Sequence, residues 1–356
     1  MDTAAIDRQQ ATQLHRTIHR QPADLRALSP REDAALDQAA ALLRAADRVI
    51  TTGIGTSHHA SIIASWLLRS AGKDALPVHS FDLALFPEQW PYQEGDALVV
   101  FGHTGNTTLT RQALAHAEGA GVPVVAVGSL EAAHPGATMI LRTTAPETTA
   151  TYTSSHLCAL ALVARVAVAL GAEELADPLA GLPDLVQSVL DREREVWPIA
   201  EIAAAQGGLA PMSYAVGAGP NEATATELMI KVREAAMVKV DGMAIEQFLH
   251  GPACGFNAGD LAVVVNASGA STGRVGEIAR VLRAMGGRLW VIGEAVEGVD
   301  APVFDLPRLP EVLSPLLALI PAQLFASRLS ALRGTNPDAF RMDDPVYDKA
   351  FTRAGF

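Results

Sequence analysis

Cysteine is almost missing from this chain. Cys158 and Cys254 are the only two in 356 residues and share no short motif, which excludes a disulfide framework and leads us to expect a reducing cytoplasm. Aromatic residues make up only 5% and charged residues 19%, and acids outnumber bases 39 to 27, for a formal net charge of −12. A surface of that sign argues against nucleic acid or an anionic membrane as partner, while a small anionic ligand needs only a locally positive pocket. Long hydrophobic runs are lacking too. The most apolar stretch, 157–172, is short and interrupted by Arg165, which suits a buried helix and not a membrane span. The opening "MDTAAIDRQQ" carries acids and no apolar segment, so no secretion signal is expected.

Several catalytic signatures are absent as well. No Gly-Lys-Ser/Thr occurs, which removes the Walker loop, and no Gly-x-Ser-x-Gly elbow marks a hydrolase. His-Glu-x-x-His and Cys/His spacings are missing, and the adjacent His58 and His59 point in different directions, so neither a metal site nor a cofactor is expected. Gly53-Ile54-Gly55 begins like a dinucleotide fingerprint, but His58 stands at the third glycine position.

What the chain has is alternation. From residue 48, β-branched runs such as "RVITTGIG", "DALVVFG" and "VPVVAVGS" alternate with helical patterns, and from "SYAVGAG" the same order begins again. An α/β fold follows, with parallel sheets covered by helices on both faces, and the restart reads as a tandem duplication. The expected division is a helical arm over 1–34, a first domain over 35–175, a linking helix over 176–208, a second domain over 209–333 and a tail over 334–356. That tail shows no clear periodicity, yet Pro337, Pro345 and several aromatics suit it to docking over a site.

Short hydroxyl residues crowd three strand ends: Thr56 and Ser57, then Thr104 and Thr107 in "GHTGNT", then "TATYTSSH" with Ser154. One such turn is an ordinary helix N-cap. Three at one sheet edge make an anion cradle where open α/β sheets bind ligands. In "TELMIKVREAAM", residues 226–237, Glu227, Lys231 and Glu234 share one helical stripe at spacings of four and three. They form either a solvated ion-pair ladder or a general base with a cation beside it.

The "GTS" turn, the "GHTGNT" loop, the Glu-x-x-x-Lys-x-x-Glu helix, "EQFLHGP" and a lysine in a short tail resemble, in that order, the tandem sugar isomerase (SIS) proteins. These include the isomerase half of glucosamine 6-phosphate synthase and stand-alone glucosamine 6-phosphate deaminases. The resemblance covers nearly the whole chain. It implies two tandem flavodoxin-like SIS domains and a homodimer with its site at the interface. It also implies a sugar phosphate held by Gly55, Thr56, Ser57, His103, Thr104, Thr107 and Ser154, with no cofactor. Glu234 is then the base that moves a proton between C1 and C2 through an enediol or enolamine, and His250 the ring-opening acid. Lys231 is the neighbouring cation, Glu227 its orienter, and Lys349 a lysine able to form an imine with the ketone. Two positions depart from the family: Ser-Gln-Ser-Gly-x-Thr is replaced by Gly102-His103-Thr104-Gly105-Asn106-Thr107, and a lysine by His156. The implied reaction converts glucosamine 6-phosphate to fructose 6-phosphate and ammonia. A fructosamine 6-phosphate (Amadori) deglycase and a non-catalytic sugar-phosphate sensor are the alternatives. Nothing here matches the glutaminase half of the synthase, so glutamine-driven synthesis by this chain is not expected.

Overall fold

The computed structural model describes residues 3–205 and 213–354. Helices α1 (Thr3–Ala11) and α2 (Gln13–Ala45) lead into β1 (Arg48–Gly53), α3 (Thr56–Ser70), β2 (Asp74–His79), α4 (Ser80–Leu85), β3 (Asp96–Phe101) and α5 (Thr108–Gly119). Strands β4 (Val124–Gly128) and β5 (Met139–Arg142) and helix α6 (Ser154–Leu170) complete the first half. A connector follows, containing α7 (Ala176–Ala180), α8 (Leu182–Leu190) and α9 (Trp197–Ala205). The second half holds β6 (Ser213–Gly217), α10 (Asn221–Ala236), β7 (Val240–Ala244), α11 (Ile245–Leu249), β8 (Leu261–Asn266), α12 (Thr272–Ala284), β9 (Arg288–Gly293), β10 (Val303–Phe304) and α13 (Pro315–Arg333). Helix α14 (Pro345–Arg353) closes the described chain.

Both sheets are wholly parallel, in the orders β2-β1-β3-β4-β5 and β10-β9-β8-β6-β7. Counted within its own half, each sheet runs 2-1-3-4-5, a doubly wound order whose ligand crevice opens beyond the carboxyl ends of the strands. The match extends to single glycines. A Cβ at Gly53 would run into the backbone of Ser57, and one at Gly217 into the backbone of Asn221, four residues on in each case. Two residues after each, Gly55 and Gly219 take left-handed φ values of 60° and 56°, which cost other residues strain.

The continuous apolar strands are buried on both faces, as helical cover requires. One central core joins the halves through α2, α3, α6, α10 and α13, and separate cores lie under α4 with α5 and under α11 with α12. By length and composition a single described helical segment, Glu311–Arg333, could cross a membrane, but its apolar window is 89% buried inside the protein.

The expected boundaries need correction. Helix α2 passes through 34/35, because Leu36, Ala39, Ala40 and Leu43 continue the buried stripe of Leu14, Ile18, Leu25 and Leu28. The single linking helix is broken into three, with Gly181 between α7 and α8 and a short tight turn, Glu193–Val196, before α9. The boundary expected at 208/209 lies outside the described residues. The tail contains α14, which starts on Pro345 and is capped by Asp344, whose side chain accepts from Val346 N–H.

Candidate active site

Helix α10 carries Glu227, Lys231 and Glu234 on the face turned toward α3 of the first half. Lys231 Nζ lies 2.8 Å from Glu234 Oε2 and 3.4 Å from Glu227 Oε1. The first half grips Glu227 from the other side: Thr56 Oγ1 donates to Oε1 at 3.1 Å, and His59 Nδ1 is 2.6 Å from Oε2. The centre of this cluster is buried, with Lys231 only 2% and Glu227 1% exposed. Burial opposes the charge on Lys231, but Glu234 and Glu227 outweigh it and hold the ammonium above its ordinary pKa. Burial likewise pushes Glu227 up, and Lys231, His156 and His59 more than reverse that, leaving it well below the usual carboxylate range. Glu234 differs. Burial raises its pKa and Lys231 only partly offsets it, the direction that suits a general base near neutrality. The solvated-ladder alternative is therefore wrong for these three residues, although it describes Arg233, which is exposed and pairs with Asp241.

A small cavity at the carboxyl ends of β1, β3 and β4 lies on the first-half side of this cluster. Thr56, Ser57, His103, Tyr152, Ser155 and His156 line it. The Tyr152 ring lies against His103, with centroids 4.4 Å apart. Burial and Glu147 raise the Tyr152 phenol while Lys231 lowers it, so the tyrosine stands between cavity and cation. Glu147 braces the wall: its carboxylate accepts from Thr153 N–H at 3.1 Å and Ser155 N–H at 2.6 Å, and its own N–H donates to His103 Nε2 at 3.0 Å. That last bond places the proton of a neutral His103 on Nδ1. Both His103 Nδ1 and His156 Nε2 are buried without a hydrogen-bond partner among the described residues. Burial lowers the pKa of both imidazoles, that of His156 to about 4.

Glu234 also borders a wider groove, whose opposite wall is the tail: Phe340, Arg341, Tyr347 and Phe351. The tail thus faces Glu234 across this groove. Five expected site residues lie elsewhere. Ser154 Oγ is spent on Asp24 at 2.6 Å, because the first turn of α6 directs it toward α2, and Ser155 takes its place in the cavity wall. The loop after β3 contributes Gly102 and His103 to the cavity, while Thr104 and Thr107 are exposed. Lys349 is exposed on the face of α14 turned away from Tyr347 and Phe351, two residues from each. His250 is 78% exposed, 3.7 Å from Glu246, and lines neither opening among the described residues. Sequence reasoning missed His59, Glu147, Tyr152 and Ser155. Tyr152 had the best signal, as the one aromatic in a hydroxyl-rich turn.

No family model matches the chain. It is 30% identical over 312 residues to the isomerizing glutamine–fructose-6-phosphate aminotransferase of Pyrococcus horikoshii, covering 84% of this chain and 51% of that protein. The chain spans about half the length of the curated relatives it matches. Among solved structures, the C-terminal domain of glucosamine-fructose-6-phosphate aminotransferase from Francisella tularensis superposes with a TM-score of 0.80 at 18% identity, over 92% of this chain and 98% of that one. A glucosamine-6-phosphate deaminase from Thermotoga maritima gives 0.76 at 17% identity, over 92% and 97%. The resemblance to sugar isomerase proteins read from the motif order thus holds in relatives and in fold.

Proposed function

We propose that this chain, sharing relatives and fold with the sugar isomerase proteins, is a phosphosugar isomerase that deaminates an aminosugar phosphate such as glucosamine 6-phosphate. The observation that carries the reading is the buried Glu234–Lys231 couple beside a cavity containing two partnerless imidazole nitrogens, His103 Nδ1 and His156 Nε2. Glu234 takes the C2 proton of the open-chain sugar and returns it to C1. Lys231 keeps that carboxylate ionised and steadies the enolamine. Water then adds to the resulting C2 imine and ammonia leaves. The phosphate sits at the N-terminus of α3, on the N–H groups of the Gly55–Ser57 turn and the hydroxyls of Ser57 and Ser155, with His103 donating from Nδ1. The shared strand order and paired glycines support a tandem duplication. The reading extends to a cytoplasmic homodimer in which His250 opens the sugar ring in the partner's site.

One observation favours a second reading. No lysine or arginine lines the small cavity among the described residues, and burial keeps its histidines neutral, so an unphosphorylated sugar also fits. The test is a panel of glucosamine 6-phosphate, glucosamine and fructosamine 6-phosphate, assayed for ammonia, free amine and ketose. Ammonia with ketose phosphate from the first compound, lost in Glu234→Gln, is the expected result. Turnover of glucosamine at a matching rate assigns the second reading. Amine from fructosamine 6-phosphate makes the protein a deglycase, and saturable binding without turnover makes it a sensor.

A further inference from the structure

His15 and His19 stand one turn apart on α2, their ring centroids 4.3 Å from each other. Both Nε2 atoms converge on one carboxylate from the connector, 174 residues further along the chain: His15 Nε2 lies 3.2 Å from Glu193 Oε1, and His19 Nε2 lies 3.1 Å from Glu193 Oε2. The three ligand atoms fall within 4.8 Å of one another. In a tetrahedral complex with the usual zinc–nitrogen and zinc–oxygen bonds, ligand atoms are roughly 3.3 Å apart, so the spacing needs little adjustment. We propose that His15, His19 and Glu193 form a binding site for a divalent transition metal ion, Zn²⁺ above all, that pins the N-terminal arm to the connector between the two halves.

Further contacts fit the assignment. Gln9, 1% exposed on α1, donates from Nε2 to Glu193 Oε1 at 2.7 Å, a bond from outside the three ligands that fixes the carboxylate's orientation. His19, with a third of its side chain exposed, leaves an entry path and room for a water as fourth ligand. Two imidazoles with one carboxylate suit zinc and its neighbours, not Mg²⁺ or Ca²⁺, which favour oxygen sites. His15 and His19 lie four residues apart, a spacing not weighed when no metal site was expected, and Glu193 joins them only through the fold. The inference stands apart from the proposed reaction, because no residue of that site takes part.

The test uses the full chain, freed of metal by chelator and titrated calorimetrically with Zn²⁺ and, in parallel, Mg²⁺. One equivalent of Zn²⁺ binding at micromolar strength or tighter, with none of Mg²⁺, is expected, together with a higher thermal midpoint and visible tetrahedral bands when Co²⁺ is used. His19→Ala and Glu193→Gln should each weaken Zn²⁺ by at least about tenfold and abolish the midpoint shift, while the exposed control His250→Ala should bind as wild type. If Glu193→Gln fails to fold by circular dichroism, His19→Ala decides alone. Absence of saturable Zn²⁺ binding to the wild type, or unchanged affinity in His19→Ala, overturns the site.

Discussion

Lys231 satisfies two carboxylates at once, and that of Glu227 lies where water cannot replace it. Replacing it with methionine leaves Glu227 buried and short of its nearest full charge, which should destabilise the fold by about 3–5 kcal/mol. Adding Glu227→Gln to that variant should recover part of the loss, and urea denaturation of the two proteins measures both effects. The same substitution removes the cation that opposes the rise of the Glu234 pKa. The Glu234 carboxyl, which burial already raises, should therefore rise further, and the acid limb of kcat/KM in Lys231→Met should lie at higher pH than in the wild type. His156 makes a different prediction. Its imidazole is depressed from 6.5 to about 4 by burial, so between those values the unfolded chain binds the extra proton and stability falls as pH drops. The loss should approach about 3 kcal/mol by pH 4 and be smaller in His156→Gln, read by denaturation across the window. At this scale the stripe of Glu227, Lys231 and Glu234 was legible because helical spacing alone aligns it. His59 and Glu147 were not, because their partners come from segments whose approach only the tertiary fold decides.

The tail reaches back to the N-terminus of α2. Asp338 accepts from Gln13 N–H at 2.8 Å and from Leu14 N–H at 2.9 Å, and Thr12 Oγ1 accepts from His15 N–H at 3.1 Å. These bonds satisfy donors that a helix start leaves open. Asp338 also holds the hydroxyl-rich turn, since its carbonyl accepts from Ala150 N–H, as the Pro337 carbonyl does from Thr151 Oγ1. Asp338→Ala should cost about 1–2 kcal/mol, read by urea denaturation, while amide exchange at Ala150 stays slow because the main-chain carbonyl remains. Deleting 345–356 should leave stability nearly unchanged, because α14 has no fully buried residue. It should still impair turnover, because Tyr347 and Phe351 leave with it. Lys349→Ala should keep activity, in contrast to the imine role implied by resemblance; loss of activity in that variant alone would restore that role. Strands and long helices were readable because apolar period and length agree in them. Helix α14 was not, since nine residues with an exposed surface carry too little pattern, and the connector's breaks depend on packing that the sequence does not display.

At the scale of the whole molecule, the proposed chemistry is divided between places that one chain keeps apart. Glu234 is nearly buried between groove and cavity, with 12% of its side chain exposed, whereas His250 is 78% exposed on the short segment after α11. An exposed imidazole is a poor ring-opening acid on its own, because water competes for every contact it makes, so its use requires a surface that closes over it. A second copy of the chain is the economical closing surface, since a two-fold dimer buries both histidines by one contact. The exposed apolar side chains Phe81, Leu85, Phe86 and Trp90, 39–48% accessible on and just after α4, give such a dimer something to cover. Sedimentation should find a dimer, and Phe86→Glu should weaken it. Glu234→Gln and His250→Ala should each be inactive alone. When mixed under conditions of subunit exchange, they should recover about a quarter of wild-type activity, because half of the dimers are mixed and each of those has one site with both native residues. Exchange confirmed by native mass spectrometry without recovered activity would mean that His250 serves no neighbouring site. Glu234 and Lys231 would then have to draw their acid from within the chain, where Tyr152 beside the cavity is a candidate.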